Sequence, residues 1–386
     1  MTAEAVMFSL LRMEVCGGTV SEEIKRDLSE EMLTEIFALA KKHDLAHIAG
    51  DALSKLGLLG DNEISKKFKQ ISMQAVQRYV RMNHAIAQLC RTLESASIPF
   101  LPLKGTVIRK HYPEPWMRTS CDIDVLVQEA DLERAIQVLV SDLGYRNEGR
   151  GYHDVSLFSP NNVHVELHFT LLDETRFPAA EEIITGVWEQ VLPVRESSAQ
   201  KQMPDALYYF YHILHMANHF YGGGCGIRPF LDLWILNHKV EHDAGEREAL
   251  LQKGGLLTFA QAAQSLSEVW FSGQTHTELT EKMEEFILCG GVYGNAENMV
   301  AVRQAKKGGR IQSVLDKIFL PYNTLKGHYP ILRKHKWLLP FCQVARWFRL
   351  LSGGRWKRSV HELKTNASIS AAEVSTTAEL LKQLGL

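Results

Sequence analysis

Paired cysteines, long apolar runs and a surplus of positive charge are all missing from this 386-residue chain. Its six cysteines (Cys16, Cys90, Cys121, Cys225, Cys289 and Cys342) are dispersed and form no C-x-x-C pair. That spacing argues against a zinc knuckle or a disulfide framework and suits a reducing compartment. No apolar run approaches the length that spans a bilayer. The start, Met1-Thr2-Ala3-Glu4, lacks the basic residues and apolar stretch of a signal peptide, so a cytoplasmic location is expected. A formal net charge of −2 argues against a chain devoted as a whole to nucleic acid. Gly222-Gly223-Gly224 has no Lys-Ser or Lys-Thr after it, so it reads as a flexible loop and not as a P-loop. No internal repeat stands out. The length suffices for a sizeable core and two or three domains or subdomains.

What the chain does have is acids in strand-like settings. Asp122-Ile123-Asp124 sits in Cys121-Asp122-Ile123-Asp124-Val125-Leu126-Val127, and Val163-His164-Val165-Glu166-Leu167-His168 follows about forty residues later. Strand alternation sends Asp122 and Asp124 to one face, roughly 6–7 Å apart, and Ile123 and Val125 to the other. Two carboxylates on one strand and a third from a neighbour suit two Mg²⁺ ions about 4 Å apart, with Mn²⁺ as the substitute. The bland alternative for each acid is a solvated or ion-paired strand face. Ahead of the acids, Ile98-Pro99-Phe100-Leu101-Pro102-Leu103 reads as a strand confined to an edge by its prolines. Lys104-Gly105-Thr106 then turns into a short helix, Val107–Tyr112, stopped by Pro113. A strand, a glycine turn and a helix start make an anion site, where Lys104, Gly105 and Thr106 would meet phosphates. Arg118 is read either as a phosphate clamp or as the partner of an acid. His164 and His168 share the face of Glu166 and either orient substrate or line a half-polar strand.

Leu103-Lys104-Gly105, Tyr112-Pro113, Arg118 and Asp122-Ile123-Asp124-Val125-Leu126-Val127 together resemble the uncharacterised nucleotidyltransferase family of the DNA polymerase β superfold. Leu143-Gly144-Tyr145 and Val165-Glu166-Leu167-His168 fit the same family, and His215, His219, Arg228 and Asp232 look like its helical flank. The resemblance is specific over about residues 98–170. It implies an α/β (α+β) fold, with a small mixed β-sheet core between N-terminal and C-terminal helical regions. It also implies Mg²⁺-dependent transfer of a nucleoside monophosphate from an NTP, ATP first among them, to a hydroxyl of an unidentified acceptor. Asp122 and Asp124 match the metal-binding pair, and Glu166 matches the third carboxylate. The turn departs from the Gly-Ser or Gly-Gly of most of the wider superfamily and leaves the triphosphate contacts open. The competing reading is a catalytically silent nucleotide- or partner-binding protein with the same fold.

Around this core the expected regions are 1–97 (helical), 98–176 (α/β core), 177–302 (helical, completing the cleft) and 303–386 (basic and helical). Within the first, Ser21 and Ser29 read as helix caps, and a long helix from near Glu63 to Ala96 carries a packing stripe of Ile71, Ala75, Tyr79, Met82, Ile86 and Cys90. The stretch from Phe177 to about Gln202 reads as a linker. His212, His215 and His219 share a face of the helix Asp205–Phe220, but span about 10 Å, too far for one ion. They read as packing residues or as imidazoles offered to a substrate, and Asp232 is expected to bond back to a histidine or to Arg228. From Arg303 to Arg358 the chain holds fourteen Lys and Arg and one acid, Asp316, with aromatics interleaved. RNA or an anionic surface fits such charge; the plainer expectation is a solvated basic face with the aromatics packed inward. The tail after Asn366 reads as a loosely docked helix.

Overall fold

The computed structural model describes residues 2–171, 176–292, 294–306, 318–320, 322, 325–326, 329–352 and 368–386. They form two units: Met1–Met216 with Ile227–Glu281, and Ala217–Gly226 with Lys282–Leu386. Lys307, Arg310, Asp316, Lys317, Arg355, Trp356, Lys357 and Arg358 of the basic stretch lie outside the described residues.

The first unit begins with helices α1 (Ala3–Leu11), α2 (Glu22–Asp27), α3 (Glu30–Lys42), α4 (Ala46–Lys55) and α5 (Glu63–Ser95). Ser21 and Ser29 cap α2 and α3 as expected, and each hydroxyl accepts a backbone N–H that the helix leaves without an internal partner. Asn62 does the same for α5. Along α5, Ala75, Met82 and Ile86 are buried and Ile71, Tyr79 and Cys90 half-buried, so the stripe is a packing face.

The sheet follows: β1 (Phe100–Pro102), the one-turn helix α6 (Gly105–Ile108), β2 (Asp122–Val127), α7 (Leu132–Leu143), β3 (Arg146–Arg150), β4 (Asp154–Phe158) and β5 (His164–His168). The strand order is β1-β2-β5-β4-β3, with β2 and β5 parallel and the other pairings antiparallel. The mixed sheet expected from the resemblance is present. Pro102 is tolerated because β1 is an edge strand, and the other edge, β3, is charged and exposed throughout. Gly144 ends α7 in the left-handed conformation (φ 67°) that glycine adopts without Cβ strain.

One face of the sheet is dry. Ile123, Val125 and Val127 of β2 and Val165 and Leu167 of β5 join Leu89 and Leu93 of α5 and Ala135 and Leu139 of α7 in one buried cluster. Each fully buried aliphatic side chain there contributes about 1.5–3 kcal/mol. A slip of one residue would send this set to the opposite face, so the cluster dictates where the acids point.

The stretch read as a linker is structured. It holds α8 (Pro178–Thr185), α9 (Val187–Gln190) and the hairpin β6 (Leu192–Pro193) and β7 (Lys201–Gln202), and the Phe100 amide of β1 donates to Ala199 O at 3.2 Å. Glu94 explains the order: its carboxylate accepts from the Ser198 hydroxyl and from the Ala199 and Gln200 amides. Then come α10 (Asp205–Tyr221), α11 (Arg228–His238), α12 (Ala244–Lys253), α13 (Leu257–Ser272) and α14 (Glu278–Leu288).

In the second unit, Gly222–Gly224 is a packed turn and not a flexible loop. A Cβ on Gly223 (φ 119°) would lie 2.7 Å from the backbone of Met299. Helix α15 (Ala296–Lys306) packs Val300 and Ala301 with Ile369 and the half-buried Val374. The tail helix Ala371–Gln383 is therefore docked firmly, with a capping box of Ser370 and Glu373 at its start. No helix among the described residues is long and apolar enough to cross a membrane.

Candidate functional site

The parallel β2–β5 pairing sets Asp124 beside Glu166 and Asp122 beside His164, on the face opposite the dry cluster. Ligand atoms of Asp122, His164 and Glu166 lie within 4.8 Å of one another, and so do those of Asp124, Glu166 and His168. Glu166 belongs to both groups. Both acids lie opposite Ile123 and Val125, and the second strand arrives in register.

Two cations hold Asp124. Lys104 Nζ donates to its Oδ1 at 2.8 Å, and His168 Nε2 lies 2.9 Å from the same oxygen and 3.5 Å from Glu166 Oε2. Burial opposes the charge of Asp124, but Lys104 and His168 outweigh it and push its pKa well below the usual range. Burial likewise works against the His168 imidazolium, but Asp124 and Glu166 raise it to about 9. Glu166 is lowered, chiefly by its hydrogen bond to His168. Asp122 goes the other way: burial first, then Asp124 and Glu166, raise it. Three carboxylates against Lys104 and a protonated His168 leave one negative charge unmatched, and the strain falls on Asp122.

A divalent cation fits this deficit. The carboxylate oxygens of Asp122, Asp124 and Glu166 suit Mg²⁺ or Mn²⁺, and His164, grouped with Asp122 and Glu166, adds a nitrogen donor that Mn²⁺ accepts more readily. Nδ1 of His168 is buried without a hydrogen-bond partner, while His164 Nε2 lies 2.7 Å from the Ser156 hydroxyl.

The turn before the acids is built differently from the sequence expectation. Helix α6 is a single turn, and the Thr106 amide is used on Leu103 O at 3.2 Å, so a helix dipole adds little there. Gly105 matters for its missing side chain: a Cβ would meet Arg118 Nη1 at 3.2 Å. Lys104 sits at φ 47°, ψ −126°, a costly conformation for a residue with a side chain. It is pinned at both ends, by Asp124 at Nζ and by the Tyr208 hydroxyl, which donates to its carbonyl at 3.0 Å. Strain held this way aims the ammonium at the acids.

Arg118 is buried beneath the turn. Its Nε donates to Asp232 Oδ1 at 2.7 Å and Oδ2 at 2.9 Å, and Nη1 to Thr119 O at 2.6 Å. Asp232 therefore pairs with Arg118 and with the Tyr112 hydroxyl (2.7 Å), not with Arg228 or a histidine as expected from sequence. Arg228 instead donates to Asp44 Oδ2 at 2.8 Å, which also accepts from the Thr119 hydroxyl. His212 packs against α11, with Nε2 2.9 Å from Pro229 O. His215 stands one turn beyond Tyr211 on α10, and His219 falls in the second unit. Tyr208, Arg109 and His153 escaped the sequence reading as site residues. Arg109 donates to Gly105 O and Ser120 Oγ and is buried with no carboxylate partner among the described residues, while His153 stacks on His168 at 5.3 Å. The only prior signal for Tyr208 was its position on the aromatic face of α10.

The site is thus a small mixed sheet with helices on its dry face and, on the other, three carboxylates that could hold a metal ion. The uncharacterised nucleotidyltransferase family matches residues 29–272, and the chain belongs to that family. No curated protein and no solved structure gives a match.

Proposed function

We propose that the protein is a divalent-metal-dependent nucleotidyltransferase that moves a nucleoside monophosphate from an NTP, ATP first among candidates, to an acceptor hydroxyl. The observation that carries this reading is the β2–β5 register, which puts Glu166 within reach of both acids of β2, grouped with Asp122 and His164 on one side and with Asp124 and His168 on the other. In this reading Asp122, Asp124 and Glu166 hold Mg²⁺, with Mn²⁺ as substitute. Bound there, the metal would supply charge stabilisation for the phosphates and lower the pKa of the acceptor hydroxyl. Lys104 offsets charge on the triphosphate, with Gly105 and Thr106 shaping the approach. Arg118 acts through the turn it supports, and its Asp232 pair keeps Lys104 in place. His168 orients Asp124 and Glu166, His164 flanks Asp122, and His215 is the remaining candidate for substrate contact. The acceptor class is open among a small molecule, a protein and an RNA. The six dispersed cysteines suit the reducing cytoplasm.

The test is incubation of the purified protein with Mg²⁺ and each α-labelled NTP, with and without cell extract, beside Asp122→Asn/Asp124→Asn. Label transferred by the wild type and reduced at least about 100-fold in the variant supports the reading. Equal turnover by a folded variant sinks it. One observation favours a second reading, a silent nucleotide binder: Oδ1 of Asp124 is already engaged by Lys104 and His168. Mg²⁺-dependent NTP binding without pyrophosphate release in any extract would place that reading first.

A further inference from the structure

The C-terminal helix Leu339–Ser352 shows its apolar side to solvent. Phe341, Val344 and Phe348 are 64%, 44% and 69% exposed, and Trp337, in the turn that leads into the helix, is 68% exposed. Pro340 and Ala345 are exposed as well. The spacing 337, 340, 341, 344, 345, 348 is that of a single helical face, so these side chains form a stripe and not a scatter. The opposite side is packed: Cys342 is buried, Leu339 and Trp347 are half-buried, and the polar groups there bond inward. Gln343 is buried and donates to Leu320 O at 2.6 Å, and Arg346 donates to Ile318 O at 3.2 Å. The expectation that the aromatics pack inward holds for Tyr322 and Tyr329, which pack with Leu338 and Leu339 on the local cluster of Leu325, Leu332 and Cys342, but not for Phe341 and Phe348.

Water does not favour a stripe of two phenylalanines, a tryptophan and a valine, and exposed apolar patches of this kind mark interaction surfaces. The rim says which kind. Residues 318–352 contain six Lys and Arg and no Asp or Glu. Lys334, Lys336 and Arg349 are exposed beside the stripe. An apolar centre with aromatic anchors and a wholly cationic border is the pattern of a helix that lies in the headgroup layer of an anionic bilayer.

We propose that the Trp337–Phe348 face docks on an anionic membrane surface, with the apolar stripe entering the headgroup layer and Lys334, Lys336 and Arg349 meeting lipid phosphates. This does not depend on the transferase reading. The experiment is flotation of the full-length protein with vesicles of phosphatidylcholine and phosphatidylglycerol (about 7:3) and with pure phosphatidylcholine vesicles. Phe341→Ser/Phe348→Ser tests the stripe, and Lys334→Glu/Lys336→Glu tests the rim. All four side chains are solvent-exposed, so the fold survives, and circular dichroism verifies this. The expected result is binding to the anionic vesicles that falls about tenfold or more in the Phe variant, the scale of losing one to two buried aromatic side chains. The Lys variant should fall less, and raised salt should mimic it. Equal binding to both vesicle types, no binding, or an unaffected Phe variant overturns the proposal. Salt-sensitive binding of a single-stranded RNA, or a dimer that Phe341→Ser/Phe348→Ser dissociates, overturns it as well when vesicles are not bound.

Discussion

Two clusters of buried charge lie in the first unit, and the contrast between them separates support from chemistry. Around Arg118, two guanidinium groups meet two carboxylates: Arg118 with Asp232, and Arg228 with Asp44. The Tyr112 and Thr119 hydroxyls take up further oxygen lone pairs. On the sheet face, Lys104 and His168 are the two cations paired with the acids Asp122, Asp124 and Glu166 among the described residues, and Asp122 is left with a raised pKa. The first cluster carries no unmatched acid: Arg109 adds a third guanidinium, held by Gly105 O and Ser120 Oγ, and the whole ties elements together. The second has an acid in excess, and so marks the place where a cation completes the structure.

The comparison can be broken most severely at Asp232. Replacing it with Ala strands the Arg118 guanidinium in the interior, a loss of about 3–5 kcal/mol by chemical denaturation. A loss under about 1 kcal/mol would mean that the cluster is not a support. Next comes pH, in metal-free protein. His168 is raised from 6.5 to about 9. Its contribution is present in full below pH 6.5 and lost as pH rises through about 9, so melting in EDTA should weaken over that window. The expected loss is about 3 kcal/mol, and His168→Gln should flatten the profile.

A smaller effect of opposite sign is expected at Asp122. Asp122→Asn removes a repulsive charge, so metal-free stability should hold or rise by roughly 1 kcal/mol at most. Added Mg²⁺ should raise the melting temperature of the wild type and not of the variant. A destabilised Asp122→Asn would erase the distinction between the clusters. The smallest effect belongs to Lys104→Gly, which relieves a positive φ while losing the Asp124 contact. The two terms are each about 1 kcal/mol, so stability should change little while NTP affinity falls.

Much of this was readable beforehand for particular reasons. Ile123, Val125 and Val127 alternate with acids, so any strand through them must put Asp122 and Asp124 on the wet face. Pro102 announced an edge strand because it has no N–H to donate. Arg118 was legible only as a choice, since a guanidinium serves a phosphate or a carboxylate equally well. Asp232 lies 114 residues away, and local pattern cannot bring the two together. The hairpin after α9 was hidden for a similar reason, because its order depends on Glu94 reaching it from the end of α5.

The sequence by itself determined the two acidic strands, the capped helices around them and the family to which they belong. These rest on local alternation and on donors or acceptors supplied within a few residues. Only the tertiary structure decided that Asp124 faces Glu166 in a parallel register, that Lys104 is bent toward both, and that Phe341 and Phe348 face water. Such outcomes depend on which distant surfaces compete for a side chain, and that competition has no signature along the chain.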